Sequence, residues 1–540
     1  MTADFTRRKF IGSSLLVAAA GVPSLASCSS TGSSAASAAN EAVKLPTYVK
    51  FKGVTPDLPG SNTTGVLDGF LHYPPNPVQA LDGAPGDGKA ISLMTNIPTA
   101  IPPGVGKNKF WQAVNKRVGS ELKITMSSND DYATKFATVV AGGDLPDIIN
   151  IPPAATDQPA LLKAKCHELT DQLAGDNVKK YPFLANLPTE AWKGCVYNGG
   201  IYAIPVPRGA ARTSLPIYRA DLVKAKGLGT PEPKNFEDFL SLCKAMTDKK
   251  HNVWAWGAPP LAYVEQMLGL PNQWKEESGK FTNICEIAET KDALSATKRL
   301  LDAGVMSPDG FTAGNVVQKQ WFNAGTISFV LDSYVAWTQY YRDNTNGPSF
   351  AVNMLDIPGY NGGRGTPWAG LAYNNITAFN KNSAHSVDTL LKVSNWMAAP
   401  FGTAEYLFRK FGSKGTDYTL VGSDPEYTRL GTVETSIGLQ YICDAPMALY
   451  LGGHPEVAKL QYKSQTTVIP RAIKDASYGL YSETQSRKQT QLNATLSDLT
   501  GQILRGDKPV SAWDDAVKTW RTTGGDAMRN ELEKAFAQQH

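Results

Sequence analysis

The chain has 540 residues, with 53 lysines and arginines against 49 aspartates and glutamates, and a formal net charge of +4. This near-neutral balance excludes the strongly basic composition typical of nucleic-acid binding. The length exceeds what one hydrophobic core usually supports, so we expect two domains.

Residues 1–27 have the composition of an export signal. Arg7, Arg8 and Lys9 precede an apolar run that ends near Val22 and is too short to cross a bilayer. The paired arginines are typical of a twin-arginine signal, which exports folded proteins. The sequence Leu-Ala-Ser-Cys that ends at Cys28 matches a bacterial lipobox and predicts lipidation of that cysteine. An ordinary signal followed by an incidental cysteine is the alternative.

The segment after the signal has the composition of a linker. Residues 28–43 predict a flexible tether, because residues 29–40 are nearly all serine, alanine, glycine and threonine. Residues 46–88 are rich in proline and glycine and predict an extended arm packed on the folded body. No later segment is apolar for long enough to cross a membrane, so we expect the lipid anchor to be the only membrane attachment.

Strands and helices alternate in the first part of the folded body. The periodicity predicts a strand over 91–97, a helix over 108–118, a strand over 122–126, a helix from Tyr132 and a strand from Asp147. This alternation predicts an α/β fold with a parallel sheet covered on both faces.

Helical patterns dominate the rest of the chain. The helices are predicted at 220–226, 236–247, 291–303 and 390–411, with a short strand at 327–331 and two final helices separated by Gly524 and Gly525. No internal repeat is present.

The motifs of common enzymes are missing. There is no GxSxG elbow, HExxH helix, phosphate-binding GxxxxGK[ST] loop or GxGxxG turn after a strand. Besides Cys28 the cysteines are odd in number and form no CxxC pair, so we expect no zinc site and cannot assign disulfides: Cys166, Cys195, Cys243, Cys285 and Cys443. We therefore expect neither an enzyme nor a cofactor, although the abundant carboxylates leave a glycosidase open.

Six stretches, in order along the chain, carry a family resemblance. They are residues 132–150 (YATKFATVVAGGDLPDIIN), 198–208 (NGGIYAIPVPR), 218–248 (YRADLVKAKGLGTPEPKNFEDFLSLCKAMTD), 321–337 (WFNAGTISFVLDSYVAW), 396–411 (WMAAPFGTAEYLFRKF) and 506–535 (GDKPVSAWDDAVKTWRTTGGDAMRNELEKA). Together they resemble the extracellular solute-binding proteins of carbohydrate ABC importers, family 1, and especially their long LplA-like lipoprotein branch.

The resemblance implies a two-lobed periplasmic-binding-protein-like fold of type II, with a ligand cleft between the lobes. Residues 44–207 and 366–432 would form the N-terminal lobe, and residues 208–365 and 433–540 the C-terminal lobe. The hinge would consist of three crossings, near Pro207, Trp368 and Tyr441. The early arm and the extra length depart from the shorter family members.

The same resemblance implies a function. The chain would bind a carbohydrate, in particular an oligosaccharide, and deliver it to the permease subunits of an ABC importer. It would act as a monomer, held by its lipid on the extracytoplasmic face of the cell membrane. The competing hypothesis is a surface carbohydrate-active enzyme, either a lyase or a glycosidase.

Sugar binding calls for aromatic planes against the ring faces and polar side chains around the rim. We place these groups at strand ends, turns and crossings that should face the cleft, and the resulting candidates are Asn129, Asp130, Arg208, Trp256, Tyr263, Asp332, Tyr334, Trp337, Trp368 and Tyr441. Tyr334 and Trp337 match the position where relatives present an aromatic platform. Arg208, Arg212 and Arg364 suggest that uronic acids should be tried.

Several candidates have an equally reasonable structural role. Trp256 and Trp337 could belong to the core. Asp130 could cap the helix that begins at Tyr132. Arg208 could pair with a carboxylate across the hinge rather than touch a sugar.

Overall fold

The computed structural model describes residues 38–61, 63–153, 155–344 and 346–539. The predicted signal peptide, the lipidation site Cys28 and the first part of the predicted tether lie outside these residues. Within them, no helix is long and apolar enough to cross a membrane.

The strands of the described residues fall into two larger sheets and three small pairs. They are β1 (Ile91–Ile97), β2 (Leu122–Ser128), β3 (Ile148–Ile151), β4 (Val196–Tyr197), β5 (Gly200–Ile201), β6 (Ile204–Pro207), β7 (Ser214–Arg219), β8 (Trp254–Trp256), β9 (Trp274–Glu277), β10 (Lys280–Asn283), β11 (Ile327–Ser333), β12 (Val352–Met354), β13 (Tyr373–Phe379), β14 (Tyr418–Val421) and β15 (Asp424–Tyr427).

The helices cover the two larger sheets and form most of the C-terminal part. They are α1 (Lys109–Val118), α2 (Tyr132–Gly142), α3 (Gln158–Lys165), α4 (Thr170–Leu173), α5 (Thr189–Trp192), α6 (Ala220–Ala225), α7 (Phe236–Ala245), α8 (Leu261–Met267), α9 (Glu289–Asp302), α10 (Asn315–Ala324), α11 (Tyr334–Arg342), α12 (Val387–Met397), α13 (Ala404–Phe411), α14 (Arg429–Glu434), α15 (Pro455–Val468), α16 (Glu483–Arg505), α17 (Ala512–Trp520) and α18 (Asp526–Gln539).

The first sheet has the order β2-β1-β3-β13-β6. Strand β1 pairs in parallel with β2 and β3, as the alternation of strands and helices predicts. Strand β13 then runs antiparallel to β3 and β6, so the complete sheet is mixed rather than parallel. All four residues of β3 are buried, which is the pattern of a strand covered on both faces.

The second sheet has the order β12-β7-β11-β8. Strand β11 runs antiparallel to β7 and parallel to β8. Its residues Ile327, Phe329 and Val330 are buried in a core of their own, separate from the core around the first sheet. Two sheets with two cores give the two-lobed α/β fold that the resemblance implies.

Helix α1 illustrates how local sequence fixes the first lobe. The side chain of Asn108 accepts a hydrogen bond from the Trp111 amide, and Gly119 ends the helix at a φ of 73°. Phe110, Trp111 and Val114 point into the core at helical spacing. The predicted helix at 390–411 is wrong in one respect, because it is two helices, α12 and α13. They are interrupted near Pro400, which has no amide hydrogen to continue a helix.

The chain passes between the lobes after Pro207, between Met354 and Tyr373, and after Cys443. The segment that precedes the last crossing packs in the first core through Ile437, Leu439, Ile442 and Cys443. The predicted division assigns residues from 433 onward to the second lobe. The packing instead extends the first lobe by about ten residues, to Cys443.

The N-terminal arm, residues 46–88, adds a connection that the sequence did not predict. It begins on the first lobe, where the amide of Val49 donates to the carbonyl of Ala185 at 2.8 Å. Val66 packs in the second core. The arm then returns to the first lobe, where the amide of Gly86 donates to the carbonyl of Val118 at 2.7 Å. The arm therefore contacts both lobes.

The C-terminal helices α16, α17 and α18 form a third cluster with the β9–β10 hairpin. Trp274 on β9 lies against Trp520 at a ring-centroid distance of 5.9 Å, and Trp513 donates its indole N–H to the carbonyl of Cys285 at 3.0 Å. Gly524 and Gly525 separate the last two helices, as predicted, through a short turn of π-helix.

Candidate functional site

An open cavity lies between the two lobes. The first lobe contributes the end of β1, the end of α13 and the segment around residues 435–441, and the second lobe contributes Arg342 at the end of α11. The lining residues are Ile97, Pro98, Thr99, Arg342, Arg409, Lys410, Tyr427, Thr435, Ser436, Gly438, Leu439, Gln440 and Tyr441. Because both lobes line it, a ligand bound here would contact both.

The carboxyl ends of the parallel strands carry a chain of amides beside this cavity. Asn96 on β1 donates to the side chain of Asn129 at 2.6 Å and accepts from Asn150 on β3 at the same distance. The backbone amide of Asn129 also donates to the carbonyl of Ile97, a lining residue, at 2.9 Å. Asn129 therefore lies next to the cavity, at the edge of the sheet where α/β proteins bind ligands.

Helix α13 positions two of the lining cations. Thr403 caps it by accepting from the amide of Tyr406, and Arg409 and Lys410 occupy its last turn. Cations are favoured there because the carbonyl groups at a helix C-terminus carry partial negative charge. Arg342 occupies the last position of α11 in the same way, on the other side of the cavity.

Asp444 lies at the centre of a buried ionic cluster with Arg208, Arg409 and Lys410. Its carboxylate lies 3.1 Å from Arg208 Nη2, 2.8 Å from Arg409 Nη2 and 3.0 Å from Lys410 Nζ. Burial alone would raise the pKa of Asp444, but the three cations outweigh it and lower the pKa well below its ordinary value. Asp444 is therefore ionised.

The same cluster perturbs Lys410 in the opposite direction. Burial, followed by the neighbouring Arg409 and Arg208, lowers the pKa of Lys410 to about 7, although the carboxylate of Asp444 works to raise it. The cluster thus holds more positive charge than its single carboxylate balances.

The remaining lining groups suit the rim and the face of a sugar ring. Tyr441 is half-buried and is the last residue of a short 3-10 helix, Leu439–Tyr441. Thr435 and Ser436 place hydroxyls at the cavity, while the hydroxyl of Tyr427 donates to the carbonyl of Lys410 at 2.7 Å. An aromatic plane, hydroxyls and guanidinium groups are the means by which proteins hold carbohydrates.

Four predicted aromatic ligand contacts lie in the second core instead, where their rings are enclosed by protein: Trp256, Tyr263, Tyr334 and Trp337. Trp256 stacks on Phe329 at 5.6 Å, and the hydroxyl of Tyr334 lies 2.7 Å from that of Ser464. The strand-end position of Tyr334 and Trp337 predicted a platform, but helix α11 begins at Tyr334 and turns both rings inward. For these four, packing replaces the predicted role.

Trp368 and Asp332 remain partly accessible on the second lobe. Trp368 is half-buried and donates its indole N–H to the carbonyl of Leu270 at 2.8 Å. Asp332 accepts from the hydroxyl of Tyr340 at 3.1 Å and lies 3.4 Å from Lys319 Nζ. Neither lines the cavity described above.

The alternatives for Arg208 and Asp130 have different outcomes. Arg208 pairs with Asp444 at the hinge, so it has a structural role of the kind considered for it. Asp130 does not cap α2, since the capping position belongs to Asp131, whose side chain makes no capping bond. Asp130 is exposed and faces Gly314 of the second lobe. The two residues are so close that a side chain at position 314 would place its Cβ 2.9 Å from Asp130 Oδ2.

A second cavity lies wholly within the second lobe. It is bounded by α8, α9, α16 and α17 and contains Glu265, whose pKa burial raises to about 7. Since one lobe supplies all of its lining, a ligand there could not bridge the lobes. We therefore take the cavity between the lobes as the candidate site.

Sequence reasoning found Tyr441 and Asn129 near this site but missed Arg342, Arg409, Lys410 and Asp444. Arg409 and Lys410 fall inside a stretch that carries the family resemblance and within the predicted helix at 390–411. The available signal was two adjacent cations between Phe408 and Phe411, at the end of an amphipathic helix.

The family model described as "Bacterial extracellular solute-binding protein" matches residues 100–403 of the chain. The polygalacturonan/rhamnogalacturonan-binding protein YtcQ of Bacillus subtilis (strain 168) is 24% identical over 483 residues, covering 85% of this chain and 94% of that protein. Lipoprotein LipO of the same organism is also 24% identical over 483 residues, covering 84% of this chain and 94% of that protein.

Solved structures share the two-lobed fold at low identity. The alginate-binding protein AlgQ2 has a TM-score of 0.60 at 13% identity, covering 86% of this chain and 100% of that chain. The substrate-binding protein FusA of S. pneumoniae, solved in complex with kestose, has a TM-score of 0.59 at 14% identity, covering 83% of this chain and 99% of that chain.

Proposed function

We propose that this chain, which belongs to the bacterial extracellular solute-binding protein family, binds an oligosaccharide in the cleft between its lobes and delivers it to the permease of an ABC importer. The observation that carries the proposal is the cavity lined by both lobes at the carboxyl end of β1. A ligand held there favours one relative position of the lobes, which a permease can recognise.

The printed names of the relatives support a carbohydrate ligand. YtcQ is named for binding polygalacturonan and rhamnogalacturonan, and FusA was solved with kestose. The cavity's aromatic ring, hydroxyls and cations suit such ligands. Within the site, we assign ligand contact to Tyr441, Arg342, Arg409 and Lys410, and contact at the cavity's edge to Asn129.

We also propose that the chain acts as a monomer anchored at the cell surface by lipid on Cys28, after export by a twin-arginine signal. The lipoprotein LipO among the relatives supports this location. Two acyl chains on the cysteine would hold the protein stably, where one alone binds only marginally.

The competing hypothesis, a carbohydrate-active enzyme, receives less support from the candidate site. A glycosidase needs two carboxyl groups placed on either side of the scissile bond. The lining of the cavity between the lobes includes no aspartate, glutamate or histidine among the described residues. Asp444 behind it is ionised and paired, so it is unsuited to donate a proton.

Titration calorimetry of the purified Cys28→Ser protein with a panel of oligosaccharides tests the proposal. The sugars are also analysed for new products after incubation with the protein. We expect stoichiometric binding and unchanged sugars. Tyr441→Ala should weaken binding by about tenfold or more, as expected for a lost aromatic contact. Tyr360→Ala is the matched control, because Tyr360 is also half-buried but stacks on Phe236 away from the cavity.

New products from any of these sugars would contradict the proposal and favour the enzyme. Equal losses of affinity in both variants would contradict the placement of the site.

A further inference from the structure

The ionic cluster behind the cavity carries an excess of buried positive charge. The side chains of Arg208 and Arg409 are 4% and 1% exposed, and that of Lys410 is 21% exposed. These three cations share one carboxylate, Asp444, which is 4% exposed. Arg342 across the cavity does not restore the balance, because its own charge is already matched by Asp343 at 3.0 Å.

The fold compensates only a part of this excess. The helix C-terminus that holds Arg409 and Lys410 favours each cation, but this effect is much smaller than the penalty for burying an unpaired ion. Arg208 has further acceptors in the carbonyls of Pro207 and Gln440. Arg409 and Lys410 are supported more weakly, by the ring of Tyr406 at 5.5 and 5.8 Å and, for Lys410, by Gln440 Oε1 at 3.5 Å, so most of the uncompensated charge lies on these two.

The buried guanidinium of Arg409 is only partly hydrogen-bonded by the described residues. Its Nε has no hydrogen-bond partner among the described residues, although the side chain is almost wholly buried. Its Nη2 lies 2.8 Å from Asp444 but not at an angle that makes a hydrogen bond. Arg409 lines the cavity, together with Lys410 from its own helix and Arg342 from the opposite lobe.

We propose that the cleft takes an acidic oligosaccharide, and that a sugar carboxylate binds between Arg409 and Lys410 on one lobe and Arg342 on the other. This inference rests on the proposed function and narrows its substrate class to uronate-containing sugars. A guanidinium group binds a carboxylate with two parallel hydrogen bonds, which neutral sugars cannot match. A carboxylate held from both sides would also draw the lobes together.

Calorimetry with charged sugars and their uncharged counterparts tests the inference. The probes are trimers of galacturonate and of mannuronate, the methyl esters of both, and a panel of neutral oligosaccharides. We expect at least one acidic trimer to bind, and its methyl ester to bind about tenfold or more weakly, because a charge-assisted hydrogen bond is lost. Added salt should weaken binding of the acid more than binding of the ester.

Arg342→Gln should reduce affinity for the acid by about tenfold or more and leave affinity for its ester nearly unchanged. Arg342 is the preferred site for substitution because its side chain is 21% exposed, so folding tolerates the change. Arg505→Gln is the control, since Arg505 pairs with Asp507 on the C-terminal helices and should not affect binding.

The experiment distinguishes failure of this inference from failure of the proposed function. Tight binding of neutral sugars with no preference for an acid over its ester would overturn this inference and leave the proposed function standing. Binding of neither acidic nor neutral oligosaccharides would overturn both.

Discussion

Replacing Asp444 with asparagine would leave three buried or partly buried cations without their shared carboxylate. Asp444 lies 2.8–3.1 Å from Arg208, Arg409 and Lys410. Each pair is worth about 5 kcal/mol at an effective dielectric constant near 20, before desolvation is subtracted. Since removing one partner of a buried pair typically costs about 3–5 kcal/mol, we expect a loss of that size in the free energy of unfolding.

Thermal and chemical denaturation of the purified protein would measure this loss. For a lobe of this size it corresponds to a fall of about 6–20 °C in the midpoint of the transition that reports the first lobe. Asp343→Asn is the control, because Asp343 forms a single, partly exposed pair with Arg342 and should cost about 1 kcal/mol or less. Equal small shifts in the two variants would refute the view that Asp444 holds a strained cationic cluster together.

Other substitutions separate packing from binding. Tyr334→Ala should lower the free energy of unfolding by about 3–5 kcal/mol in denaturation experiments, because its ring is enclosed in the second core, while sugar affinity stays nearly unchanged. Trp368→Ala should also leave sugar affinity nearly unchanged in calorimetry, because Trp368 lies outside the cavity between the lobes. One ring nitrogen of His385 lies against the carboxylate of Asp87 and the other against a backbone carbonyl. These two acceptors outweigh the effect of burial and raise the pKa of His385 above its ordinary value of 6.5. Its stabilising contribution is therefore full below pH 6.5 and is lost as the pH rises through the folded-state pKa, and His385→Gln should remove this dependence from the melting profile. Cys28→Ala should release the protein from the membrane fraction or leave its signal uncleaved, and unchanged fractionation would contradict the lipid anchor.

Regular elements could be predicted from sequence where a single periodicity dominates. Strand β1 matches its predicted bounds, and α1 differs only in that Asn108 is its cap. The antiparallel strand β13 and the lobe-to-lobe path of the arm could not be predicted, because both depend on pairing between distant segments. The resemblance supplied the two-lobed arrangement, which local patterns alone do not specify.

The candidate site was predicted less completely, for a physical reason. An aromatic residue after a strand can face either the cleft or the core, and the rotation of helix α11 decides between them. That rotation turned Tyr334 and Trp337 into the core. The charge cluster was missed because Arg208, Arg409 and Asp444 are far apart in sequence and meet only when the first lobe folds. Their spacing carries no local signal.

Small-angle X-ray scattering with and without a bound oligosaccharide tests the central claim most directly. A ligand that contacts Arg409 on one lobe and Arg342 on the other should favour the closed arrangement, with the crossings after Pro207 and Cys443 acting as part of the hinge. We predict that the radius of gyration falls at saturating ligand. An unchanged radius, with binding confirmed by calorimetry in the same sample, would contradict a cleft that closes on its ligand.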